Sequence, residues 1–129
     1  MRRSIFLTVG IAIVVLFTIF LTSCDKKTVA PDNMDATVTM TYTPNPATVN
    51  TPIEFNFAVI ESMEAVEVTE VTCALMQGMT TLNPMIVTKT GTGMYMGTYT
   101  FINKDSCKIT FNYNHHGTMM MQDFMINVK

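Results

Sequence analysis

Tryptophan is absent and charge is scarce, with 14% of the residues being Asp, Glu, Lys or Arg. The 8 basic side chains do not outnumber the 10 acidic ones, and the net charge is −2. A nucleic-acid binder needs a basic face to meet phosphates, and this chain has no basic surplus to build one. There is no Gly-rich phosphate loop, no Cys-x-x-Cys and no His-Glu-x-x-His, which removes the usual nucleotide, dithiol-redox and zinc-protease signatures. Internal repeats are missing, and no long stretch carries the helical period. What remains is a chain of 129 residues that is 48% apolar, too hydrophobic for global disorder and sized for one domain with a modest core.

Much of that hydrophobicity sits at the N-terminus. Arg2 and Arg3 precede an uncharged run from Ile5 to Leu21, and Thr22, Ser23 and Cys24 follow. A positive start, an apolar middle and small residues before a cut are the parts of a secretory signal. The run is also at the short edge of what spans a bilayer as a helix, so an uncleaved membrane anchor is the competing reading.

Leu21-Thr22-Ser23-Cys24 resembles the lipobox of bacterial lipoproteins: an aliphatic residue, two small residues, then cysteine. The resemblance implies that residues 1–23 are a signal peptide cut off before Cys24. It also implies that the Cys24 sulfur carries a diacylglycerol group as a stable thioether. Two or more acyl chains hold a protein to a membrane far better than one. The implied location is the bacterial cell envelope, outside the cytoplasm. Asp25 resembles the inner-membrane retention signal of enterobacteria, a rule not general enough to choose between inner and outer membrane. Without Arg2 and Arg3 the chain keeps 6 basic against 10 acidic side chains, a net charge of −4. Residues 24–36 are polar, with Lys26, Lys27, Pro31 and Asp32, and read as a tether.

Residues 37–129 read as all-β. They are rich in Thr, Val, Ile, Tyr and Phe, which favour strands, and alternate with period two in short stretches. Thr37–Thr43 is one such stretch, stopped by Pro44 and Pro46, which have no N–H to donate. Residues 53–60 follow, with Ile53, Phe55, Phe57 and Val59 on one face. Within 66–76 the alternation changes phase, so a β-bulge near Thr69-Glu70 or two separate short strands is expected. Residues 61–70 are also the one place where a short helix competes. Residues 85–90 form a weaker strand before the Gly91-Thr92-Gly93 turn. Residues 94–102, 107–113 and 123–128 complete a set of about seven, which suggests a two-sheet antiparallel immunoglobulin-like sandwich.

Tyr42-Thr43-Pro44-Asn45-Pro46 with Ile53-Glu54-Phe55, and later 93–101 with Lys108-Ile109-Thr110-Phe111, resemble the YtkA-like and FixH-like domains. The resemblance covers roughly residues 37–129. It implies a small extracytoplasmic β-sandwich and a link to copper biology in the envelope, and it transfers no catalytic residue.

With Cys24 assigned to the lipid, Cys73 and Cys107 remain. Both fall on inward faces of strands expected to be neighbours near one end of a sheet. A disulfide between them is the first expectation, since the compartment can be oxidising. Two reduced buried thiols, or thiolate ligands of a metal, are the alternatives.

The excess of methionine is the chemical surprise. Only Met1 of the 13 lies in the signal segment. Met40 and Met85 suit the core, as flexible gap-fillers. Met94 and Met96 alternate with an inward face, as do Met119, Met121 and Met125. Thioethers are soft ligands suited to Cu(I), and imidazole suits copper or zinc. His115, His116, Met119 and Met121 therefore form a candidate metal site. Met63 and Met94 join it because alternating strands put their loops at the same end. Met76 and Met79 belong to the opposite end. The plainer alternatives are a solvated His-His turn and a methionine-rich contact surface for a protein partner.

Glu61, Glu64, Glu67 and Glu70 read as solvated loop and strand-edge charges. Nothing in the sequence places Ser62 or Ser106 with His115 and Asp105 in a catalytic set, and an enzyme is the least expected class. The expectation is a non-catalytic envelope lipoprotein that handles a soft metal such as Cu(I). The alternative is a structural or interaction lipoprotein docking a membrane-complex partner through its methionine-rich face.

Overall fold

Period-two alternation builds nine strands in the computed structural model, which describes residues 35–129. The expected signal segment 1–23, Cys24 and nearly all of the tether 24–36 lie outside the described residues. The first strand, β1 (Thr37–Thr43), turns Val38, Met40 and Tyr42 inward and exposes its threonines. Next, β2 (Pro52–Glu61) buries Ile53, Phe55, Phe57 and Val59 completely. The two-residue β3 (Glu64–Ala65) folds back on the end of β2. After it come β4 (Thr69–Gln77), the two-residue β5 (Thr80–Thr81) and β6 (Val87–Gly91). The chain closes with β7 (Met94–Thr100), β8 (Asp105–His115) and β9 (Thr118–Val128).

All strand pairings are antiparallel, in two sheets ordered β1-β2-β7-β6, with β3 also on β2, and β5-β4-β8-β9. Setting aside the two-residue strands, the first, second, fifth and fourth long strands share one sheet. The third, sixth and seventh share the other. This is the strand partition of a constant-type immunoglobulin sandwich. The all-β, two-sheet antiparallel expectation is the observed fold.

The phase change within 66–76 is a bulge. The β4–β8 register shifts between Thr69 and Thr72, and Glu70 takes a left-handed φ of 52°. After it, Cys73, Leu75 and Gln77 point inward. The competing helix over 61–70 does not form. The expected strand 85–90 begins later, at Val87, because Met85 turns into the core. There it makes an isolated bridge to Cys73, with its N–H donating to the Cys73 carbonyl at 3.0 Å.

Aromatic rings fill the space between the sheets. Phe57 of β2 stacks on Phe111 of β8 with centroids 4.6 Å apart, and Tyr95 and Phe124 pack around this pair. Burial of each large apolar side chain is worth about 1.5–3 kcal/mol. Two buried hydroxyls tie loops to this core. Tyr95 donates to the Val68 carbonyl at 3.0 Å and Tyr113 to the Ala36 carbonyl at 2.8 Å.

The expected Cys73–Cys107 disulfide is corrected by the register. Both residues point inward and are buried, as read, but both are free thiols. Strand β4 runs on past Cys73 to Gln77, so Cys73 sits mid-strand, opposite Phe111, and Cys107 lies opposite Gln77. The thiols share a face but are four register positions apart, too far for cross-strand bridging. Burial pushes the Cys73 thiol up to about 12 and that of Cys107 up to about 11, so both stay protonated and poorly nucleophilic.

Candidate metal centre

Each end of the core is closed by a buried polar side chain from the second sheet. At one end Gln77 donates its amide to the Asn103 carbonyl at 2.8 Å. At the other end stands His115, 7% exposed. It is the last inward position of β8, following Cys107, Ile109, Phe111 and Tyr113 on the same face. Across the gap, Glu61 is the next inward position of β2 after Ile53, Phe55, Phe57 and Val59. The two strands thus end in a histidine and a carboxylate facing each other, with Glu61 Oε1 and His115 Nε2 3.4 Å apart.

The turns hold this arrangement. His115 pairs with Thr118, leaving His116 and Gly117 as a two-residue turn with φ of 51° and 80°. Positive φ at both positions matches the twist of a tight hairpin, and glycine and histidine accept it better than most residues. This turn lays the exposed His116 ring beside that of His115, with centroids 4.0 Å apart. Glu61 pairs with Glu64 around Ser62 and Met63, whose φ are 51° and 69°. At a methionine such a φ is an outlier. Close by, Gly93 (φ 63°) lets the β6–β7 turn press on β2. A Cβ there would come within 2.7 Å of the Val59 carbonyl oxygen.

The result is a group of three potential donors, Glu61, His115 and His116, whose ligand atoms all lie within 4.8 Å of one another. Donors around a tetrahedral zinc at about 2.0–2.2 Å stand roughly 3.3 Å apart. The group is therefore close to a coordinating spacing, and His116, being exposed, has room to adjust. Two imidazoles and one carboxylate suit borderline divalent cations such as Zn(II) and Cu(II) better than Cu(I).

The histidines expected from the sequence are together, but the thioethers expected with them are not. Met119 and Met121 lie opposite Asn114 and Asn112, on the outward face of the second sheet, while His115 faces inward. Met94 lies opposite Ala58, on the outward face of the first sheet. These three are 59%, 72% and 41% exposed, on opposite outer surfaces, and do not converge on the histidines. Met63 is on the turn after Glu61 and is 98% exposed. The donor the sequence reading missed is Glu61, treated there as a solvated charge. Its signal was the alternation itself, since it continues the buried face of β2 just as His115 continues that of β8.

No family model matches the chain, and no curated protein matches it. Among solved structures, a DUF4785 family protein from Legionella pneumophila superposes with a TM-score of 0.53 at 8% identity. The match covers 70% of this chain and 27% of that one, so the chain spans about a quarter of the neighbour's length. The likeness is one of fold alone.

Proposed function

We propose that this chain is a lipid-anchored envelope protein whose β-sandwich is a non-catalytic metal-binding module. The observation that carries this reading is the convergence of Glu61, His115 and His116 at one end of the sandwich. A domain that places a carboxylate and an imidazole from different sheets on one spot, beside a second imidazole, has the donors a divalent cation requires. Copper remains in the reading, as Cu(II) held by nitrogen and oxygen rather than Cu(I) held by thioethers. The resemblance to YtkA-like and FixH-like domains points in the same direction. The anchor is Cys24, acylated as the lipobox implies.

Two experiments test the parts separately. Competition against a chromogenic chelator measures Zn(II) and Cu(II) binding to the purified chain. The expected result is one site that is lost in the His115→Ala, His116→Ala double variant, and retention of wild-type affinity there removes the site. Metabolic labelling with an alkyne fatty acid tests the anchor, with label expected on the wild type and none on Cys24→Ser.

A second reading rests on a different observation. Met119, Met121 and Met125 form an exposed outward row on β9, opposite Asn114, Asn112 and Lys108 respectively. Such a row suits a flexible contact surface for a protein partner. Pull-down in the presence of a chelator, compared between wild type and Met119→Ser, Met121→Ser, separates this reading from metal binding.

A further inference from the structure

The β2–β3 hairpin carries a second carboxylate to the same place. Glu64 is the register partner of Glu61. Directly opposed residues on antiparallel strands project to the same side of the sheet, with Cβ atoms about 4.5–5.5 Å apart. Glu64 therefore rises beside Glu61, on the side from which Glu61 reaches His115. Like charges directly opposed are unfavourable. Among the described residues no lysine or arginine pairs with either carboxylate: Glu61 faces His115, and the lysine ion pairs are Lys89–Glu67 and Lys108–Asp123. The turn that brings the two acids together also holds Ser62 and Met63 at positive φ. The repulsion opposes this hairpin, and a cation between the acids offsets it.

We infer that Glu64 is the fourth ligand of the centre, making a closed site of two histidines and two glutamates for Zn(II). This rests on the reading of Glu61, His115 and His116 as ligands. The Glu64 carboxylate is not within the 4.8 Å group formed by the other three. Glu64 is exposed, and the proposed ligation requires its side chain to turn toward them. Three protein ligands leave a zinc position open to water or substrate, whereas four close it, which is the pattern of resident structural ions. A closed site agrees with a non-catalytic module. It also joins the β2–β3 and β8–β9 hairpins through one ion, so that metal retention and the closure of this end of the sandwich become a single event.

The test is Zn(II) affinity of the full chain by chelator competition, for wild type, Glu64→Gln, Glu61→Gln and the outer-face control Glu54→Gln. Glu64→Gln is expected to weaken Zn(II) binding at least about tenfold. Glu61→Gln should do so as strongly, and Glu54→Gln should leave it unchanged. Metal-free Glu64→Gln should melt no lower than wild type, because it removes a repulsion, which separates lost coordination from lost folding. X-ray absorption of the zinc-loaded chain should give four nitrogen or oxygen ligands, two of them imidazole. Wild-type affinity in Glu64→Gln, with Glu61→Gln impaired, overturns the fourth ligand and leaves the three-donor site standing. Absence of Zn(II) binding by the wild type overturns both.

Discussion

Glu61 and His115 lie on different sheets and meet at 3.4 Å, Oε1 to Nε2, where the buried faces of β2 and β8 end. A metal ion bound here, as proposed, would tie the sheets together where strand hydrogen bonds do not. Ligand binding to the folded state alone stabilises it by about 2.7 kcal/mol at 100 times the dissociation constant. For a domain of this size that is a rise in Tm of roughly 10–20 °C. Calorimetry with and without Zn(II) should find such a rise in wild type and little of it in Glu61→Gln. An equal rise in both would remove Glu61 from the site.

The sandwich was legible in the sequence because apolar residues alternate strictly along the central stretches of β2 and β8. Ile53 to Val59 and Cys107 to Tyr113 each declare an inward face. That alternation also showed a change of phase near Thr69-Glu70, which a bulge or two short strands would equally supply, and the register shift of β4 on β8 makes it a bulge. Register was less legible. β4 ends at Gln77, close to the expected end, but alternation says nothing of which residues stand opposite each other, and it is Gln77 rather than Cys73 that pairs with Cys107. The candidate site was half legible. His115-His116-Gly117 announced itself as a turn with donors, but Glu61 was hidden among three other glutamates at equal spacing. Only the inward parity of β2 separates it from Glu67 and Glu70. The methionines misled because their softness suggested a ligand set, whereas pleating sends Met119 and Met121 to the face opposite His115.

The thioethers provide a clean counter-test. Met94→Leu, Met119→Leu, Met121→Leu keeps volume and apolarity on the outward faces, so its effect on folding should be small. Chelator competition should find Zn(II) and Cu(II) affinity within about twofold of wild type. A large loss of divalent affinity would mean that the outward methionines reach the centre after all. A loss confined to Cu(I) would locate a separate thioether site on the surface.

The core stack sets the scale of stability. Phe57 and Phe111 are both fully buried and touch across the sheets at 4.6 Å between centroids. Truncating either to alanine removes transfer energy and leaves a cavity, at a cost of about 3–5 kcal/mol. Because the rings contact each other, the double variant should lose less than the sum of the single losses. Urea midpoints of the four species measure this coupling, and strict additivity would argue against the stack.

The two buried thiols make alkaline pH the sensitive side of this fold. In the unfolded chain a cysteine ionises near 8.5. In the folded domain burial holds Cys73 to about 12 and Cys107 to about 11. Below about pH 8 both states keep both protons, and the thiols give stability no pH dependence. Above it the unfolded chain releases protons that the folded chain retains, so rising pH favours unfolding. Each thiol contributes a slope of about 1.4 kcal/mol per pH unit until its folded pKa is passed. Urea midpoints should therefore fall between pH 9 and 11, and fall less steeply in Cys73→Ala, Cys107→Ala, whatever the cavities cost at neutral pH. Tyr113, also raised by burial, adds its own slope toward the top of this range and remains in both proteins. At pH 8, iodoacetamide should leave the peptides holding Cys73 and Cys107 unmodified until urea is added, and a reductant should not change Tm. A disulfide would reverse this pattern: no alkylation even in urea without reductant, and a Tm that drops when reductant is present.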